Sequence, residues 1–308
     1  MPYVTVIGGV NIDIGGWPDG PARMRDSNPG VVRSSLGGVG RNIAHNLALL
    51  GVETRLLTVY GNDDNARRVR ESCRELGIDD SLSPVIPGSR TSTYLFLTDG
   101  QGDMVMAIND MGIYRHLTPA ALEARMADIN GSAAVVLDTN LPQESIEYLA
   151  EHCTAPLFAD PVSEAKCGKL KNVLHRLHTL KPNRLEAEML TGIPITDDAS
   201  LRQAAEALLD MGVQRLFLSL GADGVLAAEA GRMVKLPVIP TEIVNTTGAG
   251  DSMMAAVVRA FLLGRPLEDA AREGLAASSI AMETMETISP VMCPAAIGAK
   301  LGNSAETH

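Results

Sequence analysis

The sequence lacks any apolar run near the ~18–20 residues that a membrane-spanning helix needs, so no membrane partner is expected. Its start, MPYVTVIGGVNID, has no basic stretch followed by a long apolar one, so no secretory signal is expected either. CxxC is absent. Cys73, Cys153, Cys167 and Cys293 are scattered and read as reduced thiols of a cytoplasmic protein. Basic runs are absent too. With 26 basic against 37 acidic residues the net charge is −11, which disfavours a nucleic-acid partner. Neither an internal repeat nor a low-complexity tract is found. The P-loop pattern GxxxxGK[ST] occurs nowhere, and Gly37, Gly38 and Gly40 miss the G-x-G-x-x-G spacing. A nucleotide site, if present, must follow another design.

What is present is an alternation. Tyr3–Gly9 reads as a buried strand ending in glycines, and Gly37–Gly51 as a glycine-opened helix with Ile43, Leu47 and Leu50 on one face. A strand, TRLLTVYG, and a charged helix over Asp63–Leu76 follow. From Ala133 the short apolar runs AVVLD, PLFAD, LHTLK and RLFLSL are separated by helical segments. That rhythm predicts a doubly wound, mostly parallel α/β sheet flanked by helices. Two long helices should begin near Gly250 and Leu267. Residues 1–300 read as one domain, and 301–308 as a loose tail.

Two segments break the rhythm. One is 13–36, rich in glycine and proline. The other is 90–110, where TSTYLFLT and MVMAIND flank DGQGD as a hairpin would. Together they read as a small β-strand lid. An ordinary extension of the sheet edge fits the pattern equally well.

Three motifs carry candidate chemistry. In NTTGAGD, Gly248, Ala249 and Gly250 precede an apolar helix, so backbone N–H groups can approach an anion at a helix N-terminus. Asp251 lies beside that point and can accept a proton from a hydroxyl. Alone, the pattern also fits an ordinary acidic residue in a helix's first turn. LGGVGRN places glycines before another helix, allowing close ligand approach. In KPNRLEAE, Asn183 and Glu186 have capping-box spacing, but they also sit where a strand's carboxyl end meets a helix. His175, His178 and His45 read as structural, and Met253, Met254, Met282 and Met285 as core.

Taken together, these elements resemble the ribokinase-like (PfkB-type) carbohydrate kinase family. GGVGRN with Gly51 and Gly61 resembles its first signature, NTTGAGD its second, NRLE its NxxE element, and SLGADG its nucleotide loop. The resemblance spans nearly the whole chain and implies a ribokinase-like fold with ATP and Mg²⁺. It implies that Asp251 is the base and that Gly248, Ala249 and Gly250 form the anion hole. Asp13, Gly38 and Asn42 would hold sugar hydroxyls. Asn183 and Glu186 would organise phosphate and Mg²⁺, and Ser219, Gly221 and Gly224 would line the nucleotide site. Lys166, after PLFAD, is a candidate phosphate contact.

DSNPGVVRSSLGGVGRN, MVMAINDM and ADPVSEAKC carry the likeness further, to the branch of the family acting on pseudouridine at its 5′-hydroxyl. Asn140 stands where sugar kinases of this family often have Glu, and would suit an amide-rich base because an amide both donates and accepts. Asn245 stands where most members have an Asp that helps bind K⁺, which puts a monovalent-cation site in doubt. Ile108 and Asn109 are candidate base readers, and the lid implies a homodimer. The alternatives are a kinase for ribose, another sugar or another nucleoside, and a non-catalytic nucleotide- or sugar-binding sensor.

Overall fold

A computed structural model describes residues 2–101 and 103–305. The main sheet has eight strands, in the order Arg232–Leu236, Val225–Glu229, Arg215–Ser219, Leu177–Leu180, Leu157–Asp160, Ala134–Asp138, Val4–Ile7, Thr54–Leu57. The last six of these pair in parallel, and the first two join antiparallel. The strands are short and apolar because both faces are covered. Alternate residues serve the two sides: Val4, Val6, Ala134 and Val136 join one core, and Ile7, Val135 and Leu137 the other. The first core is closed by helices Val39–Leu49, Ala249–Leu262 and Leu267–Met282, the second by Gln143–His152 and Asp198–Asp210.

The first strand, Val4–Ile7, lies between Thr54–Leu57 and Ala134–Asp138. Connections from it run in opposite directions along the sheet. That reversal opens a crevice at the strands' carboxyl ends, where such sheets bind ligands. Gly8, Gly9 and Asp138 sit at its floor.

The segments that break the rhythm form their own four-stranded sheet rather than an edge extension. Its order is Gly30–Gly37, Asn11–Pro18, Thr93–Thr98, Met104–Asp110. The expected hairpin is antiparallel; Gly102, within its turn, lies outside the described residues. The strand Asn11–Pro18 was hidden by its composition: Gly15 and Gly16 interrupt the pattern because Trp17, Phe96 and Leu97 fill the space a side chain would take.

The expected loose tail is a correction. A helix runs over Pro294–Ala305, and Ile297 and Leu301 pack on the first core, so apolar contact holds what its sequence leaves weakly patterned. Residues 306–308 lie outside the described residues. Met253 and Met254 are buried as expected, whereas Met285 is exposed.

Candidate active site

Helix Ala249–Leu262 opens at Gly248, whose φ of 82° is the left-handed region that favours glycine. A Cβ there would stand 2.0 Å from the Thr287 carbonyl oxygen. The small residues thus let the loop fold tightly over the helix end, with Asp251 in the first turn. Asp251 is buried, and Asn42 donates to its Oδ2 at 2.8 Å through Nδ2. Asn42 comes from the glycine-opened helix Val39–Leu49, so two motifs 209 residues apart meet side chain to side chain. Burial, with the charges of Asp160 and Asp138, pushes the Asp251 carboxyl up to about 7, against the opposing pull of Asn42 and Lys181. A carboxyl titrating there is matched to proton abstraction near neutral pH. The Asn42 Oδ1 is buried without a protein partner.

Asp138 ties the crevice floor together. Its Oδ2 accepts from the Gly9 N–H at 2.7 Å and the Gly40 N–H at 2.9 Å, and its Oδ1 accepts from the Asn140 N–H at 2.8 Å. Gly38, with φ 97°, lies so close to Gly9 that a Cβ would stand 2.5 Å from the Gly9 oxygen. Asp13 reaches the same region from the lid. Its carboxyl accepts from Asn11 at 3.3 Å, and burial raises its pKa against the effects of Asn11 and Arg41. Ser35, Asp13, Tyr94 and Asn109 are register partners across the lid, so they share one face. Ile108 belongs to the opposite face, which separates the two base-reading candidates: Asn109 shares the face of Asp13.

Asn140 lies against Gly9, and its acceptor is occupied. Lys166 donates to Asn140 Oδ1 at 2.6 Å and also contacts the Met111 sulfur at 3.6 Å, just after the last lid strand. Its ammonium thus sits with Asn140 and Met111, and the expected phosphate contact would require it to leave these partners. Burial lowers its pKa, with Asp138 the one carboxylate acting against that.

Asn183 and Glu186 form the capping box of helix Arg184–Thr191, each side chain bonding the other's backbone N–H, at 2.9 and 2.8 Å. Glu186 is buried, and burial raises its pKa. Its Oε1 makes no protein hydrogen bond among the described residues. One free carboxylate oxygen fits Mg²⁺, which keeps most of its waters and takes one or two carboxylates. No cluster of three His, Cys, Asp or Glu that could cage a metal is present among the described residues. Asn245 has both ends of its amide engaged, with the Thr247 N–H at 3.0 Å and the Met285 oxygen at 3.2 Å. His178 stacks on Phe158 and meets Phe261 edge-on rather than pairing with His175.

A cavity of 640 Å³ adjoins the loop. Ser219, Gly221 and Gly224 line one side, Ala249 and Gly250 another, and Val238, Ile243 and Met282 supply apolar wall. The expected nucleotide residues therefore share one space with Ala249 and Gly250, and Asp251 is the next residue in the chain.

Sequence reasoning missed three groups: Asp138, Asp160 and Lys181. Lys181 Nζ lies 3.1 Å from Asp160 Oδ2, and both side chains are buried. The signal was available, since Asp160 and Asp138 end adjacent strands and Lys181 directly follows the next. Charged residues closing apolar strands at the active edge of such a sheet warrant inspection.

This is the site of a phosphotransferase: a poised carboxylate between an apolar nucleotide-sized cavity and a polar crevice. The chain belongs to the pfkB family of carbohydrate kinases, whose model matches residues 1–292. It is 38% identical over 290 residues to pseudouridine kinase of Escherichia coli K12, covering 94% of this chain and 93% of that one. Among solved structures it superposes on a carbohydrate kinase from Agrobacterium tumefaciens with a TM-score of 0.87 at 31% identity, covering 98% of this chain and 97% of that one. For ribokinase from Thermotoga maritima the TM-score is 0.86 at 26% identity, with 98% and 100% covered. The chain is accordingly an α/β phosphotransferase with an alcohol group as acceptor.

Proposed function

We propose that the chain transfers the γ-phosphoryl group of ATP to the 5′-hydroxyl of pseudouridine. The observation that carries this is the Asn42–Asp251 pair, which links the sugar-side helix to the loop at the nucleotide cavity. The likeness to the E. coli pseudouridine kinase supports the choice of nucleoside. Asp13 and Gly38 hold the ribose hydroxyls, and Asp251 faces the 5′-hydroxyl. Asn140, held by Lys166, presents its remaining amide N–H to an acceptor on the substrate.

In the transfer, Asp251 takes the hydroxyl proton, the substrate oxygen bonds to the γ-phosphorus, and the bond to ADP breaks in line with it. Backbone N–H groups of Gly248, Ala249 and Gly250 receive the negative charge of the phosphoryl oxygens. Glu186, through its free oxygen and the waters between, would hold Mg²⁺, which supplies charge neutralisation on the phosphates. The adenine lies in the 640 Å³ cavity, past Ser219, Gly221 and Gly224. The lid pairs with a second copy through Met104, Met106 and Ile108, which are 58%, 51% and 56% exposed. A light-scattering mass of one chain would contradict that pairing. The protein works in the cytoplasm.

Asp251→Asn tests the mechanism. Loss of a general base lowers turnover by ~10²–10⁴-fold. The variant keeps nucleoside binding by calorimetry while kcat collapses. Near-normal turnover would remove Asp251 from the reaction.

A further inference from the structure

The active edge carries four buried carboxylates, from Asp138, Asp160, Glu186 and Asp251. Such a ring repels the phosphates it must receive. One buried cation stands among them. Lys181 directly follows the strand Leu177–Leu180, and its side chain is 6% exposed. Burying an ammonium is expensive, and pairing with one carboxylate often does no more than offset that. Burial alone lowers the pKa of Lys181. The carboxylates of Asp160, Glu186 and Asp251 outweigh that and raise its pKa, so it stays an ammonium.

Its position is informative. A Cβ built on Gly250 would lie 3.2 Å from Nζ, the one group within 4 Å of it apart from its own chain neighbours and helix backbone among the described residues. The ammonium therefore lies directly against the last glycine of the loop that opens helix Ala249–Leu262. Among the described residues Asp160 is its one side-chain acceptor, so protons of the ammonium remain available. Asp160 is itself anchored by accepting the Val162 N–H at 2.9 Å on its other oxygen. An anion seated on the N–H groups of this loop falls within reach of Nζ. Lys166 offers no such alternative, because it is bonded to Asn140 on the nucleoside side.

We propose that Lys181 is a catalytic residue: held in place by Asp160, its ammonium contacts the transferred phosphoryl group beside Gly250. This rests on the phosphoryl-transfer reading above. In the transfer it forms and breaks no covalent bond and keeps its proton. It stabilises charge on the phosphoryl oxygens as the bond to ADP breaks and the bond to the substrate oxygen forms. A side chain at position 250 would enter the space where ammonium and phosphoryl meet.

The test is steady-state kinetics on Lys181→Ala with MgATP and pseudouridine, with and without added ethylamine. Removing one preorganised donor from such a hole lowers kcat by ~10²–10³-fold. The expected result is a loss of that order, a nucleoside KM within about twofold of wild type, and at least partial recovery when ethylamine fills the vacated space. A folded Lys181→Ala protein with kcat within about threefold of wild type would overturn the proposal.

Should the unpaired Asp160 charge unfold that variant, Asp160→Asn with Lys181→Met removes both charges. The comparison is then with Asp160→Asn alone. A double variant far less active than Asp160→Asn supports the proposal, and equal activity of the two overturns it. If wild-type protein phosphorylates none of the nucleosides or sugars offered, the underlying reading fails instead, which these comparisons separate from failure of the lysine.

Discussion

The Asn42–Asp251 hydrogen bond sets where the base titrates, and Asn42→Leu measures it. Asn42 is buried, and its Nδ2 donates to Asp251 Oδ2 at 2.8 Å. A hydrogen bond to an ionised group contributes about 1.5–3 kcal/mol. One pKa unit corresponds to about 1.36 kcal/mol, so losing the bond raises the Asp251 pKa by about 1–2 units. Wild-type Asp251, at about 7, is half ionised near neutral pH. The variant would be ionised to only about 1–10% there. Leucine keeps the volume and offers no donor. The assay is kcat/KM for pseudouridine between about pH 5 and pH 10, because that ratio reports the free enzyme. The expected profile has its acid limb shifted upward by about 1–2 units, with activity partly regained in alkali. A profile lowered uniformly, with its limb at the wild-type pH, would refute the reasoning and leave Asn42 as a sugar ligand only.

Burial of Asp251 also leaves a mark on stability. Its folded pKa is raised above the ordinary 3.8, so the stability it contributes is full below about pH 4 and lost as pH rises through about 7. Asp251→Asn lacks that loss, so its Tm should match wild type near pH 4 and exceed it at pH 8; equal Tm values at both pH values would contradict the assignment. Lys166→Met should raise the KM for pseudouridine by ~10–100-fold, the worth of one charged hydrogen bond, and leave the KM for ATP within about twofold. The reverse pattern would restore Lys166 to the phosphates.

Much of this was legible in the sequence because the features are local. Short continuous apolar runs such as AVVLD mark strands buried on both faces, and a glycine turn before an apolar run marks the start of a helix. GGVGRN and NTTGAGD were found for that reason. What escaped depends on distance in the chain. No local pattern states that Asn42 bonds Asp251, or that Lys181 reaches Gly250 across two elements. Nor does a local pattern state which group Lys166 turns to. Its side chain turns toward Asn140, 26 residues upstream, rather than toward the helix cap at Asn183. The lid strand Asn11–Pro18 was obscured by glycines whose places are filled by neighbouring side chains. The last helix escaped because its packing against the core, not its own pattern, defines it.

The most direct measurement offers pseudouridine, uridine, guanosine and ribose side by side with MgATP, and follows ADP release and the position of the new phosphate by ³¹P–¹H NMR. The account predicts the highest kcat/KM for pseudouridine, with phosphorus coupled to the 5′-methylene protons. Preferential phosphorylation of ribose, uridine or guanosine, or phosphate at a ring hydroxyl, would contradict it.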